Sequence, residues 1–389
     1  MKGEWLLAWR YVSYHRLRSV VLAICVLLAA LLPVTVKWLV GTYTEKLEAR
    51  ARATPLVAGA PGSRYDLVLG ALYFRGRPPA PTSMAEAERI TDGELATPYP
   101  LLSRRSAKGF AVVGTTHDYY GFRGLDFAAG GPPAVLGEAV LGTEVARRLN
   151  LSVGDKLLTD RGSLYDLAAG YPLRLKIAGV LAECDQPENS AVLVDLKTAW
   201  IVEGIGHGHD DAREVSEDAR LKSRADEVVL DASVVEYEEV TSDNISSFHF
   251  HSAPEDLPLT AILVDPKDAK SATLLKGRYA VDAGAQLLVP TEVVAELSSY
   301  VFRLKRFFDA NTALVTLSTI LFLALVVILD LRARRRELIT LKRIGCARST
   351  TARILALELL FTAGTGLALA LLASAALVWG ATHWAWTLP

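Results

Sequence analysis

Four of the seven histidines in this 389-residue chain fall in two His-x-His pairs. One is His207-Gly-His209, followed by Asp210 and Asp211; the other is His249-Phe-His251. On a strand, residues i and i+2 point to the same face, so His249 and His251 can offer two imidazoles to one ion. The glycine-bearing stretch can bring His207, His209 or Asp210 to complete a tetrahedral set. Imidazole with carboxylate suits Zn²⁺. The competing interpretation is a solvated polar loop beside a strand whose histidines face water or stack on aromatic rings. Both stay open on the residues alone.

Other catalytic patterns are missing. The sequence holds no Gly-x-x-x-x-Gly-Lys-Ser/Thr phosphate loop, so ATP hydrolysis by this chain itself is not expected. It also lacks His-Glu-x-x-His and Gly-x-Ser-x-Gly. A zinc hydrolase would need a general-base glutamate in a metal motif, and none stands there. Gly364-x-Gly366 lies inside an apolar run, where small residues serve close helix–helix approach rather than nucleotide binding. Asn150-Leu-Ser and Asn244-Ile-Ser fit glycosylation tripeptides, which arise often by chance. Cys25, Cys184 and Cys346 are scattered over three different regions and offer no disulfide framework. Zinc is therefore the one cofactor the chain's own residues suggest.

The elements that must position these residues follow from charge and hydropathy. Net charge is −1 and 51% of residues are hydrophobic, which gives no footprint for nucleic acid. The balance hides an asymmetry. Lys2, Arg10, Arg16 and Arg18 precede the first apolar run, and Arg332, Arg334, Arg335 and Arg336 follow the second. Positive charge marks the cytoplasmic side of spans. Trp5, Trp9 and Val12 can share one face of an interfacial helix while Arg10, Arg16 and Arg18 face water. Val20–Val40 supplies roughly twenty apolar residues, enough at a rise of 1.5 Å each for a hydrocarbon core of about 30 Å. It is long for a cleaved signal peptide and no small-x-small site follows, so a retained span is expected, N-terminus inside.

Between the first and second apolar runs, the sequence reads as strands mixed with helices. Leu173–Leu181 alternates as a half-buried strand, and Ser190–Trp200 reads as strand then helix. Leu259–Pro266 is another strand, followed by a helix carrying Lys270, Leu274 and Leu275 and a short strand at Gln286–Val289. Pro290 suits a helix start. From Thr291 that helix is expected to run unbroken through Phe308 into the second span. Gly206–Asp256, which carries both histidine pairs, is the least regular part.

Between the second and third apolar runs lies an amphipathic segment. Leu338, Leu341 and Ile344 recur every three residues beside Arg335, Arg336, Lys342 and Arg343. From charge alone this could be a topology-setting loop and nothing more. The pattern Arg334, Glu337, Leu338, Leu341, Lys342, Ile344, Gly345, with Glu358 opening the next span, resembles the coupling-helix region of MacB/FtsX/LolC-like (type VII) ABC transporter permease subunits. A second stretch, a glycine, a helix and then Leu151-Ser-Val-Gly-Asp155, resembles the exported domain of the same family.

The resemblance implies an α/β membrane protein: three transmembrane helices, with a large exported α+β domain similar to the MacB periplasmic core between the first and second. The expected division is 1–19 cytoplasmic or interfacial helix, 20–41 first span, 42–306 exported domain, 307–331 second span continuing from a stalk helix. Then come 332–354 coupling helix and loop, 355–380 third span, and 381–389 exported tail. The family usually has four spans, one more than is counted here. The resemblance further implies a non-catalytic subunit in a bacterial cytoplasmic (inner) membrane. Its partners would be an ABC ATPase that carries the ATP, a second permease chain in a homodimer or heterodimer, and an extracytoplasmic adaptor or binding protein. Arg334–Gly345 would fit a groove on the ATPase. Lipoprotein release, peptide or drug export, control of wall hydrolases and metal-linked export are all compatible. The alternative is a membrane-anchored metal-binding sensor or scaffold without an ATPase.

Overall fold

The structure, a computed structural model, describes residues 2–161, 172–208, 220–224, 227–230, 238–281 and 284–384. It divides into two compact units, one of Met1–Leu47 with Glu296–Leu388 and one of Glu48–Ala295.

The second unit is built on one mixed sheet. Its strands run in the order Gln286–Leu288, Leu56–Gly59, Ala261–Pro266, Ala96–Ala107, Phe110–Thr115, Ala191–Asp195, Glu138–Leu141, Arg174–Leu181 and Phe127–Gly130. Lys156–Leu158 also pairs with Arg174–Leu181. Two pairings are parallel, Phe110–Thr115 with Ala191–Asp195 and Glu138–Leu141 with Arg174–Leu181. The alternation read in Arg174–Leu181 has a direct cause: Leu175, Ile177 and Leu181 are buried while Arg174 and Lys176 face out. Ile262, Leu263 and Val264 are all buried, because their strand is covered on both faces. The Ala96–Ala107/Phe110–Thr115 hairpin is tied down by Asp160. Its carboxylate accepts from the Ser106 hydroxyl at 2.7 Å and from the Lys108 and Gly109 N–H groups at 2.8 and 2.9 Å.

A charged cluster is buried in this unit. Arg50, in the last turns of helix Arg16–Arg52, pairs with Glu188, and neither is exposed. Arg50 also donates to Gln186 Oε1 at 2.8 Å and to the Leu72 carbonyl at 3.2 Å. The Tyr119 hydroxyl donates to the same Glu188 oxygen. Burial, and then the Glu188 charge, push that phenol well above its usual range, so it stays a donor.

The first unit is helical. Among the described residues three helices are long and apolar enough to cross a membrane: Arg16–Arg52, the stretch Asp309–Ala333 of helix Pro290–Ala333, and Arg348–Ala381. Helix Pro290–Ala333 is continuous, as expected from Pro290 onward. The third helix buries Glu358, Thr362, Gly366, Ala370, Ser374 and Val378. Four-residue spacing keeps these on one side of the helix. Gly366 sits where an added Cβ would lie 2.5 Å from the Ala23 carbonyl oxygen, so the backbones of the first and third helices approach as only glycine allows. Further along, the Thr35 and Ser374 hydroxyls are 2.9 Å apart. Helix Lys2–Tyr14 packs on the third helix through Trp5 and Trp9. Both meet Phe361 edge to face, at 4.9 and 5.7 Å between ring centres.

Candidate functional site

Two constellations stand out, one in each unit. The first lies between the second and third apolar helices. The second helix ends at Ala333, a short helix occupies Arg335–Arg343, and the chain turns at Gly345 with φ +92 before Arg348 begins the third helix. Among the sequence-predicted residues, Leu338 is half-buried and Ile344, just past the short helix, is 75% exposed. Ile339 is also exposed, as are Arg335, Arg336 and Arg343. The side chains of Glu337, Leu341 and Lys342 lie outside the described residues.

Arg334 points the other way. Its guanidinium is buried and forks onto Glu358, Nη2 to Oε2 at 3.0 Å and Nη1 to Oε1 at 3.4 Å. Its Nε donates to the Tyr11 hydroxyl. The two-pronged geometry is specific to arginine and carboxylate. Arg334 therefore anchors the root of the short helix to helix Lys2–Tyr14 and to the third helix. Nothing in the sequence marks Tyr11, whose neighbours Trp5, Trp9 and Val12 carry the amphipathic signal.

The second constellation is a histidine ribbon. Gly206–His207 and His249–Phe250 pair antiparallel, with Gly206 opposite Phe250 and His207 opposite His249. Alternation then sorts the side chains. Phe248 and Phe250 turn to the core, where Phe250 meets Trp200 edge to face at 6.0 Å. A Cβ at Gly206 would come within 2.5 Å of the Phe250 ring, and one at Gly208 within 2.8 Å of Phe248, so glycine alone lets the rings lie flat on the facing strand. The odd-numbered residues present imidazoles on the other face. The ring centres of His207, His249 and His251 are 4.9 to 5.0 Å apart. One ligating atom from each lies within 4.8 Å of the others. His249 and His251 thus stand together, and His207 joins them. His209 and Asp210 lie outside the described residues.

Comparison with known proteins bears on the first constellation. Residues 312–387 match the family of the FtsX-like permease C-terminal region. This segment is similar to FtsX-like permeases. The match runs from the second apolar helix through the short helix and the third apolar helix, so the resemblance to MacB/FtsX-like ABC permeases read from Arg334–Gly345 holds where the motif stands. The solved structures that overlap the chain include the periplasmic region of MacB from Actinobacillus actinomycetemcomitans, at 9% identity, 64% of this chain, 95% of that one and a TM-score of 0.35. Another is the extracellular domain of the noncanonic ABC-type transporter YknZ from Gram-positive bacteria, at 11%, 60%, 99% and 0.32. A domain of a permease protein from Porphyromonas gingivalis overlaps at 12%, 60%, 86% and 0.28. No curated protein sequence matches the chain. Overlaps this loose carry no argument, and the likeness to FtsX-like permeases rests on residues 312–387.

Proposed function

We propose that this chain is the non-catalytic permease subunit of an ABC transporter in a bacterial cytoplasmic membrane. ATP hydrolysis on a separate ATPase chain works the sheet unit outside the membrane. The observation that carries this reading is the FtsX-like match over 312–387, which brackets the short basic helix and both apolar helices around it. The short helix is the docking element. Ile339 and Ile344 expose apolar surface among arginines, a combination suited to a groove with an acidic rim. Arg334 is held inside by Glu358 and Tyr11, so its role is to fix the angle of the docking helix. A push on that helix reaches the third helix through the Arg334–Glu358 pair. It reaches the second helix through the chain itself, and helix Pro290–Ala333 is the stalk. Two such chains, each with its ATPase, make the transporter, and an extracytoplasmic adaptor is a compatible further partner.

The test is copurification from detergent-solubilised membranes. The tagged wild type is expected to bring down an ABC ATPase in comparable amount. Ile344→Glu with Ile339→Glu should reduce that recovery at least tenfold, about 1.4 kcal/mol of lost binding. Recovery of the ATPase unchanged by the double substitution would overturn the docking role.

A further inference from the structure

We propose that His207, His249 and His251 form a zinc site on the sheet unit, with a fourth position left for water or for a donor group brought by a bound molecule. Three observations carry it. First, the ribbon sorts its residues by chemistry: Phe248 and Phe250 are committed to the core beside Trp200, and the three imidazoles share the opposite face. Second, the spacing suits the ion. Two nitrogens bound to one zinc at about 2.0–2.1 Å in tetrahedral geometry stand about 3.3–3.4 Å apart. His251 Nε2 and His207 Nε2 are 3.4 Å apart. Third, the ring of His249 is oriented by an outer contact. Its Nδ1 lies 2.8 Å from the Ser247 carbonyl oxygen. A carbonyl can only accept, so Nδ1 carries the proton and Nε2 the lone pair. A zinc-ligating histidine is typically held in this way, its second nitrogen donating to a backbone carbonyl.

All-imidazole ligation selects a borderline transition ion over calcium or magnesium, which take oxygen donors. The site needs only the described residues and does not depend on the ATPase. Metal binding and the transporter reading can therefore fail separately.

The experiment uses the full-length chain, purified in detergent with a tag free of histidine and stripped of metal. It is titrated with Zn²⁺ against a competing fluorescent chelator, and Co²⁺ is added in parallel as a spectroscopic probe. The expected result is one zinc per chain at micromolar concentration or tighter, with the strong visible bands of four-coordinate cobalt. His249→Ala and His251→Gln should each weaken binding at least about 10–100-fold, the loss that follows when a metal ligand loses only its outer-shell partner. His117→Gln, at an exposed histidine outside the ribbon, should leave it unchanged. Since His251 is exposed, His251→Gln is expected to keep the wild-type Tm without zinc and to lose the rise in Tm that zinc gives the wild type. Absence of bound zinc in the wild type would overturn the proposal. So would undiminished zinc binding in His251→Gln, or six-coordinate cobalt.

Discussion

Among the described residues each unit buries an arginine–glutamate pair, Arg50–Glu188 in one and Arg334–Glu358 in the other, and the two are built differently. Arg50–Glu188 is surrounded by its own unit: Gln186 and Leu72 accept from Arg50, Tyr119 donates to the Glu188 oxygen that Arg50 also holds, and the partners come from segments far apart in the chain. Arg334–Glu358 is local, closing 24 residues of chain, with Tyr11 as the third member. The first pair is a joint that the whole sheet must fold around. The second is a clasp holding one short helix between two long ones. A buried ion pair gives little net stability when compared with a well-packed apolar pair, but removing one partner leaves a desolvated charge behind. The difference predicts where each pair shows when broken: the joint in unfolding, the clasp in coupling.

The largest effect is expected at Glu188. Glu188→Gln strands Arg50 and should lower the stability of the sheet unit by about 3–5 kcal/mol, read as a fall in its denaturant midpoint. Arg50→Met combined with Glu188→Leu should recover most of that loss. If the double substitution is as damaging as the single one, the pair is more than a desolvated charge couple.

A smaller effect is expected at the clasp. On the proposed function, Arg334→Met and Glu358→Gln should each reduce the stimulation of an ABC ATPase partner while leaving the sheet unit's unfolding unchanged. A double-mutant cycle on that stimulation should give a coupling of about 1–2 kcal/mol, and the exchange Arg334→Glu with Glu358→Arg should restore part of it. Full additivity of the two single substitutions would show that the residues do not act as a pair.

The smallest effect concerns Asp160 and has a pH signature. Partial burial pushes its carboxyl up. Hydrogen bonds from Gly109, Ser106 and Lys108 more than offset this and hold it below the usual carboxylate range. A depressed folded value means the stabilisation is present above the ordinary aspartate range and is lost as pH falls through the folded value. Asp160→Asn should destabilise the sheet unit at neutral pH by no more than about 1 kcal/mol, given its solvent contact. The gap between wild type and variant should close on acidification. A gap constant with pH would assign the hairpin's stability to packing instead.

The sequence made some of this legible, for physical reasons that differ by region. The three apolar helices announce themselves because twenty consecutive apolar residues have few other uses. Arg174–Leu181 is legible because one face is buried and the other is not. On the sequence the first histidine pair reads as loop and the second as strand, and each pair is visible in one dimension. That His207 stands opposite His249 depends on an antiparallel ladder joining segments some forty residues apart, which no local pattern encodes. Arg334 reads as one of a run of surface arginines. Its inward turn is decided by Glu358 and Tyr11, which lie on other helices. Arg50 gives no signal at all, looking like an ordinary basic residue near a helix end, because its partner Glu188 lies 138 residues away.

The stripe of six residues spaced four apart on the third helix has a consequence for how the protein is made. Its most apolar window has a mean hydropathy of 2.0, against 2.7 for each of the other two. On the proposed membrane reading, threonine, serine and a glutamate on that stripe make the third helix the worst of the three at leaving the translocation channel for lipid unaided. What offsets the penalty is the face of the first helix, with Thr35 beside Ser374 and Ala23 against Gly366. On that reading the first helix, synthesised more than three hundred residues earlier, must wait at the channel's edge or return to it, so that the third helix enters the bilayer as half of a pair.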